Sequence, residues 1–286
     1  VPPMDPNTQD TRLLIGSEDI SKPDLYTEDD PRVLSLNGAF NVGNRGIVEF
    51  VEVFKNEIEF LHTMITATQE KSVPSPGKQA MIYFDGVILA HCNEAEWNQF
   101  KSEHTNEAIL DRIVRVNIPY CLEVDQEVKI YKKLIDRSDF DSHIAPHTLQ
   151  VAAMFSILTR LKPSNKVDPL TKMKIYNGEE IVEKGLIKKV DIRDLREEIE
   201  DEGMTGISTR FIMKAIDAAL ADSTKNMITP ISIRESLIKQ VKEQIVNPDE
   251  RKRCLEFLQK VLHEEYLSIL EKEITKAFVS AYDEQA

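Results

Sequence analysis

Two polar side chains close apolar runs that read as buried strands. Glu52 stands near the end of the run Ile47 to Phe54, and Asn93 directly follows the region Ala80 to Cys92. A carboxylate at a strand end of a parallel sheet faces the crevice where nucleotides bind, and there it can orient a water molecule. A strand-end amide offers both hydrogen-bond donors and an acceptor. From these residues alone, an incidental acid at the end of a buried strand is an equally good reading of Glu52, and a turn amide is a common reading of Asn93. Other chemistries find less support. His143 and His147 are four apart, but Pro146 between them disfavours a helical ligand pair, and the other histidines are scattered. Cys92, Cys121 and Cys254 form no C-x-x-C pair and read as free thiols of a reducing compartment. The phosphate-loop pattern G-x-x-x-x-G-K-[ST] is absent, since Pro76-Gly77-Lys78-Gln79 offers only a Gly-Lys pair. H-R-D and D-F-G are absent too, with Asp139-Phe140 followed by Asp141.

The elements that must position these groups change character along the chain. Residues 1 to about 36 are rich in Pro and Asp and predict loops and short turns. From Ala39 a short helical approach and the turn Gly43-Asn44-Arg45-Gly46 lead into the Val- and Ile-rich strand. Helical spacing follows at Phe60, Met64, Ile65 and Thr68. A second strand region comes next, with Asp85-Gly86 as a tight turn inside it. Two short helices, Glu94 to Phe100 and Asn106 to Ile113, precede a third expected strand, Val114 to Ile118, stopped by Pro119. Alternating strands and helices predict an α/β layer with a mostly parallel sheet. Beyond Tyr120 the pattern is helical, at Glu127 to Ile135, Thr148 to Leu161, Ser208 to Leu220, Ile231 to Ile245 and Pro248 to Tyr282. Thr229 before Pro230 and Asn247 before Pro248 mark two helix starts. The polar stretch from about 162 to 203 reads as a linker or extended insertion. The stripe Leu255, Leu258, Leu262, Ile269, Leu270 and Phe278 reads as a face packed on the preceding helix.

With 286 residues, two or three domains are expected. The 36 basic residues stand against 49 acidic ones, a net charge of −13, which argues against broad binding to nucleic-acid phosphates. The longest apolar run, Met81 to Cys92, is too short to span a bilayer and is broken by Asp85. No export signal is visible. The start Val1-Pro2-Pro3, without Met, suggests that the true start lies elsewhere.

Several segments, taken in order, resemble one family. The stretch Ser35 to Phe54 resembles the Walker B region of AAA+ ATPases of the magnesium-chelatase type. Leu14-Ile15-Gly16-Ser17-Glu18-Asp19-Ile20 upstream and Met64 to Glu70 downstream resemble the segments that flank it. "FDGVILAHCNE" resembles the sensor-1 strand, "NEAILDRI" a helix end that supplies an arginine finger, and "GISTRFIMKAI" the sensor-2 helix of a helical lid. In wording and order, "NRGIVEFVEVFK", "FDGVILAHCNE", "NEAILDRI" and "DEGMTGISTRF" are similar to the PrkA-type serine protein kinase family, over roughly residues 1 to 222.

The resemblance implies a fold that is α/β followed by all-α. Residues 1–122 would be the C-terminal part of an AAA+ core, 123–222 a helical lid with a polar insertion, and 223–286 additional helices. It implies that Glu52 activates water and that Val51 takes the position of the usual metal-binding Asp, where it cannot ligate Mg²⁺. Strand alternation puts Glu49 on the face opposite Glu52. The resemblance further implies that Asn93 meets the γ-phosphate and that Arg112 reaches the ATP of a neighbouring subunit. Arg210 would close onto the nucleotide from the lid. On the residues alone, Arg112 is a surface arginine paired with Asp111 or Glu107, and Arg210 an exposed arginine on a capped amphipathic helix. ATP and Mg²⁺ are implied for the intact protein, and none is expected on this stretch without its phosphate loop. Protein substrates, a homo-oligomer and a cytoplasmic location are implied, with no nucleic acid, membrane or bound structural metal. Three activities stay open: serine phosphorylation, an ATPase motor for protein remodelling or proteolysis, and a nucleotide-independent interaction module.

Overall fold

The turn Gly43-Asn44-Arg45-Gly46 sets the sheet in place. Asn44 Oδ1 accepts from the Asp85 backbone N–H at 2.8 Å, and the Val87 N–H donates to Gly46 O at 3.0 Å. The two bonds align the strands that follow each turn. The computed structural model describes residues 1, 12–18, 34–56, 58–74, 81–138, 142–180, 182–183, 186–187, 191–199, 201–221 and 227–283. Outside them lie most of the Pro- and Asp-rich start, Asp19-Ile20, Pro76 to Gln79 and Asp139 to Asp141. The chain divides into two units, Val1–Arg115 and Val116–Ala286.

The first unit runs α1 (Arg12–Ile15), β1 (Ser17–Glu18), β2 (Leu34–Ser35), α2 (Ala39–Val42), β3 (Ile47–Val51), α3 (Ile58–Gln69), β4 (Ser72–Pro74), β5 (Met81–Tyr83), β6 (Val87–His91), α4 (Glu94–Ser102) and α5 (Glu107–Leu110). A 3-10 turn, Val53–Lys55, follows β3. Strands β3 and β6 pair in parallel, with Ile47 opposite Val87 and Val51 opposite His91. Because side chains alternate, Val48 and Phe50 point into the core while Ile47, Glu49 and Val51 face outward. The core gathers Phe40, Phe50, Phe60 and Phe84, with Phe40 and Phe84 ring centroids 4.9 Å apart. Helix α3 adds Phe60, Met64 and Ala67 at helical spacing.

The expected second strand is cut in two at Phe84-Asp85-Gly86. Its first half, β5, pairs antiparallel with β4, and its second half is β6. The expected third strand does not form. Val114, Val116 and Ile118 are 89%, 71% and 78% exposed and join no ladder. A β-rich sequence favours a pleated, half-buried surface, and among the described residues no strand edge meets this segment.

The second unit runs α6 (Val124–Ile135), β7 (His143–Ile144), α7 (Thr148–Arg160), α8 (Pro169–Tyr176), β8 (Val182–Glu183), β9 (Leu186–Ile187), α9 (Ile192–Glu198), α10 (Thr209–Ala221), β10 (Met227–Ile228), α11 (Pro230–Gln244), α12 (Pro248–Glu256) and α13 (Leu262–Asp283). Helix α7 is its centre. Val151 through Leu158 are all buried, and α6, α10 and α11 pack around them. The two expected starts are capped. Thr229 and Ser232 form a reciprocal capping box, and Asn247 Oδ1 accepts from the N–H groups of Asp249 and Glu250 at 3.0 and 3.3 Å. Asn247→Ala is expected to cost about 1 kcal/mol, read as a lower urea midpoint with an unchanged slope.

The described residues of the polar stretch expected as a linker include helices and buried side chains. Met173, Tyr176 and Leu195 are buried, and so are Lys172 and Glu202. Lys172 Nζ donates to Glu202 and, at 3.0 Å, to the Lys162 carbonyl. This one pair of charges is satisfied inside, while Asp191, Arg193, Asp194, Arg196, Glu197 and Asp201 stay exposed. The last expected helix is interrupted by a π-helical turn, Phe257–Val261. Its stripe packs through Leu258 and Leu262 and, partly, Ile269, while Phe278 is exposed.

Candidate functional site

Glu52 and Asn93 lie just beyond the paired carboxyl ends of β3 and β6. Val51 sits opposite His91, so Glu52 follows one residue after the last pair and Asn93 two. Glu52 has a left-handed backbone, φ 51° and ψ 51°, which ends strand alternation before its side chain is placed. Its relation to Glu49 is therefore set by this turn and not by strand period. The following 3-10 turn brings Lys55 Nζ to 2.6 Å from Glu52 Oε2, and Lys55 is also 3.8 Å from Glu96 Oε1. The hydrogen bond to Glu52 holds the Lys55 ammonium above its ordinary pKa, against a smaller desolvation effect.

Asn93 is the N-cap of α4. Its Oδ1 accepts from the Glu96 N–H at 2.8 Å. The cap fixes the amide in place and leaves Nδ2, without a partner among the described residues, as its donor. Glu52, Lys55, Glu96 and Asn93 thus form one connected series across the two strand ends. Glu96 Oε2 is buried and has no hydrogen-bond partner among the described residues.

Arg112 follows α5. Its Nε donates to Gln69 Oε1 at 3.0 Å, and another guanidinium nitrogen donates to the Ala108 carbonyl. It therefore ties α5 to the end of α3, and neither Asp111 nor Glu107 is its partner among the described residues. Arg210 belongs to the second unit, in the first turn of α10. It is exposed and has no hydrogen-bond or ion-pair partner among the described residues.

Sequence reasoning missed three features. Lys55, three residues from Glu52, was open to view but reads as an ordinary surface lysine. Arg115 stacks on the Trp97 ring at 5.3 Å and approaches Glu94 at 3.9 Å. His91 Nε2 lies 2.8 Å from Glu49 Oε1 on the open face of the sheet, a pair that only the strand register brings together. His147 takes a left-handed conformation at the start of α7 and bonds Gln150 at 2.8 Å. Among the described residues no three His, Cys, Asp or Glu side chains converge as a metal site. All three cysteines are free thiols.

Residues 1–168 match the family described as the PrkA AAA domain, and residues 170–286 match the PrkA serine protein kinase C-terminal domain. The chain belongs to the PrkA family. It is 40% identical over 289 residues to a protein named ATP-dependent protease PrkA from Bacillus subtilis (strain 168), covering 99% of this chain and 45% of that protein. It is 37% identical over 285 residues to a protein named serine/threonine kinase YeaG from Escherichia coli (strain K12), covering 99% of this chain and 44% of that protein. The chain thus spans less than half the length of these relatives. NtrX from Brucella abortus in complex with ADP is a distant structural likeness, with a TM-score of 0.39 and 15% identity over 94% of this chain and 57% of that one.

The PrkA-family AAA domain match makes the first part of the chain an AAA-type α/β domain, followed by a helical C-terminal region. The matched AAA domain includes the first unit together with α6 and α7 of the second. The residues present offer donors for an anion more readily than ligands for a cation. In the first unit Asn93 Nδ2 and the Arg112 guanidinium are hydrogen-bond donors, and in the second unit, taken by itself, so is the Arg210 guanidinium. A Mg²⁺ ion at the end of β3 would find no ligating atom on Val51 and a Glu52 carboxylate already held by Lys55. No described helix is long and apolar enough to cross a membrane.

Proposed function

We propose that this chain contributes the hydrolytic strand ends and the lid of an ATP-dependent enzyme that phosphorylates serine in other proteins. The observation that supports this most is the joining of Glu52 and Asn93 through Lys55 and Glu96 at the carboxyl ends of two parallel strands. ATP supplies the phosphoryl group in the whole protein. Asn93 Nδ2 orients the terminal phosphate, and two arginines are read separately as phosphate donors, Arg112 toward a neighbouring subunit and Arg210 on the helical unit. The serine Oγ bonds to the terminal phosphorus, the bond to the ADP oxygen breaks, and the serine proton passes to the Glu52 carboxylate. Glu52 must first be released from Lys55, and the unpartnered Oε2 of nearby Glu96 offers that ammonium a second seat.

The chain has no phosphate loop of its own, so alone it binds ATP weakly. Mg²⁺ accompanies ATP through ligands other than Val51, and no step here depends on it. The proposed setting is cytoplasmic, with protein substrates and a homo-oligomer in which Arg112 serves a neighbouring subunit. A second reading has the same site drive a motor that feeds proteolysis, and the Bacillus subtilis relative's name favours it.

The test uses full-length protein, γ-labelled ATP and a mixed protein extract, with Arg112→Ala alongside. Label on protein serine, lost in the variant, is the expected result. Free labelled phosphate accompanied by new peptides would replace the kinase reading with the motor. Label in neither form would leave an interaction module.

A further inference from the structure

The segment Asp201 to Arg210 carries more internal fixation than a surface turn needs. Gly203 has φ +79°, and its carbonyl accepts from the Tyr120 N–H at 2.9 Å. Gly206 has φ +117°, and a Cβ there would stand 2.8 Å from the Arg160 Cα, so only glycine fits. The Ile207 N–H donates to Thr159 Oγ1 at 3.0 Å. Glu202 Oε1 accepts from the Lys162 N–H, and its other oxygen accepts from Lys172.

Arg160 is the hub. Its side chain is 0% exposed and that of its partner Glu127 1%. Its guanidinium donates to Ile207 O at 3.0 Å, Cys121 O at 2.9 Å and Glu127 Oε1 at 2.8 Å, and it stacks on Tyr120 at 4.8 Å. Thr209 donates its hydroxyl to the same Glu127 oxygen at 3.3 Å. Two loop segments and three helices therefore meet around one planar fork of donors.

A buried ion pair is weak evidence for stability, because apolar residues of similar volume often serve as well. What the fork adds is geometry, and the residue after Thr209 is Arg210, exposed and without a partner among the described residues. We propose that Arg160, acting through Glu127, Ile207 and Thr209, is a positioning residue for Arg210. It holds the first turn of α10 so that this one exposed guanidinium is presented to a phosphate at a fixed place. The inference rests on the reading of Arg210 as a nucleotide-facing residue.

The experiment compares steady-state ATP hydrolysis by full-length protein with that of Arg160→Met/Glu127→Leu, Arg210→Ala and the triple variant. Hydrogen exchange in the first turn of α10 is followed in parallel. The charge-free double variant and Arg210→Ala are each expected to raise KM for ATP about tenfold with a smaller change in kcat. The triple variant is expected to be no worse than either, since both act through the same guanidinium. Exchange in the Thr209 turn should rise in the double variant and not in Arg210→Ala. A folded double variant with unchanged KM, or losses that multiply in the triple variant, would overturn the proposal. If the double variant does not fold, Thr209→Val removes only the hydroxyl bond, and an unchanged KM there overturns it equally. Unchanged kinetics in Arg210→Ala itself would instead sink the nucleotide role of Arg210. In that case faster exchange in the double variant would leave Arg160 as the anchor of a turn with another purpose.

Discussion

Glu52→Gln is expected to reduce ATP turnover by the full-length protein about 100-fold or more while leaving its thermal unfolding unchanged. Loss of a positioned acid-base group removes roughly two to four orders of magnitude in rate. Glutamine keeps the shape of the side chain and tolerates the left-handed backbone as glutamate does, so folding is spared. The Glu52–Lys55 contact is exposed and screened by solvent, so its loss costs little stability. Glu49→Gln is the companion measurement, since Glu49 stands nearby on β3 but pairs with His91 on the open face. A large loss there with little in Glu52→Gln would move the acid-base role to the Glu49–His91 pair. Equal activity in both variants and the parent would remove the hydrolytic reading of these strand ends.

The second large effect concerns stability of the helical unit. Lys172→Ala is expected to destabilise it by about 3–5 kcal/mol, because Glu202 is left charged and buried without its countercharge, keeping only the bond from the Lys162 N–H. Chemical denaturation followed by far-ultraviolet circular dichroism reads this as a lower midpoint. Removing both charges, in Lys172→Met/Glu202→Leu, should restore much of the loss, although the Lys162 N–H and carbonyl then lose their partners. The lysine loss should also persist at high salt, since a buried pair is poorly screened. A loss under about 1 kcal/mol would show that Glu202 reaches water once Lys172 is gone.

Features written within a few neighbouring residues are legible in the amino-acid order itself. The Gly43 to Gly46 turn and the strand Ile47–Val51 follow from turn chemistry and Val/Ile content. The starts at Thr229-Pro230 and Asn247-Pro248 follow from capping, which needs only a side chain and an amide two or three residues on. The order of the Glu52, Asn93, Arg112 and Arg210 segments is also enough to point to the family. Contacts between distant residues are not legible, because period and propensity say which face a residue takes but not what stands opposite. Glu49 meets His91 only through strand register, and Lys172 meets Glu202 only because helices fold back on each other. The same limit explains the two misread segments. Val114 to Ile118 has a strand's composition but pairs with no strand among the described residues. The polar stretch after Leu161 reads as solvated throughout, and most of its described charges are exposed, but Lys172 and Glu202 neutralise one another inside, which only the tertiary structure shows. Local chemistry determined the elements and the candidate residues, and the tertiary structure decided which of them touch, since burial and pairing are properties of the packed chain.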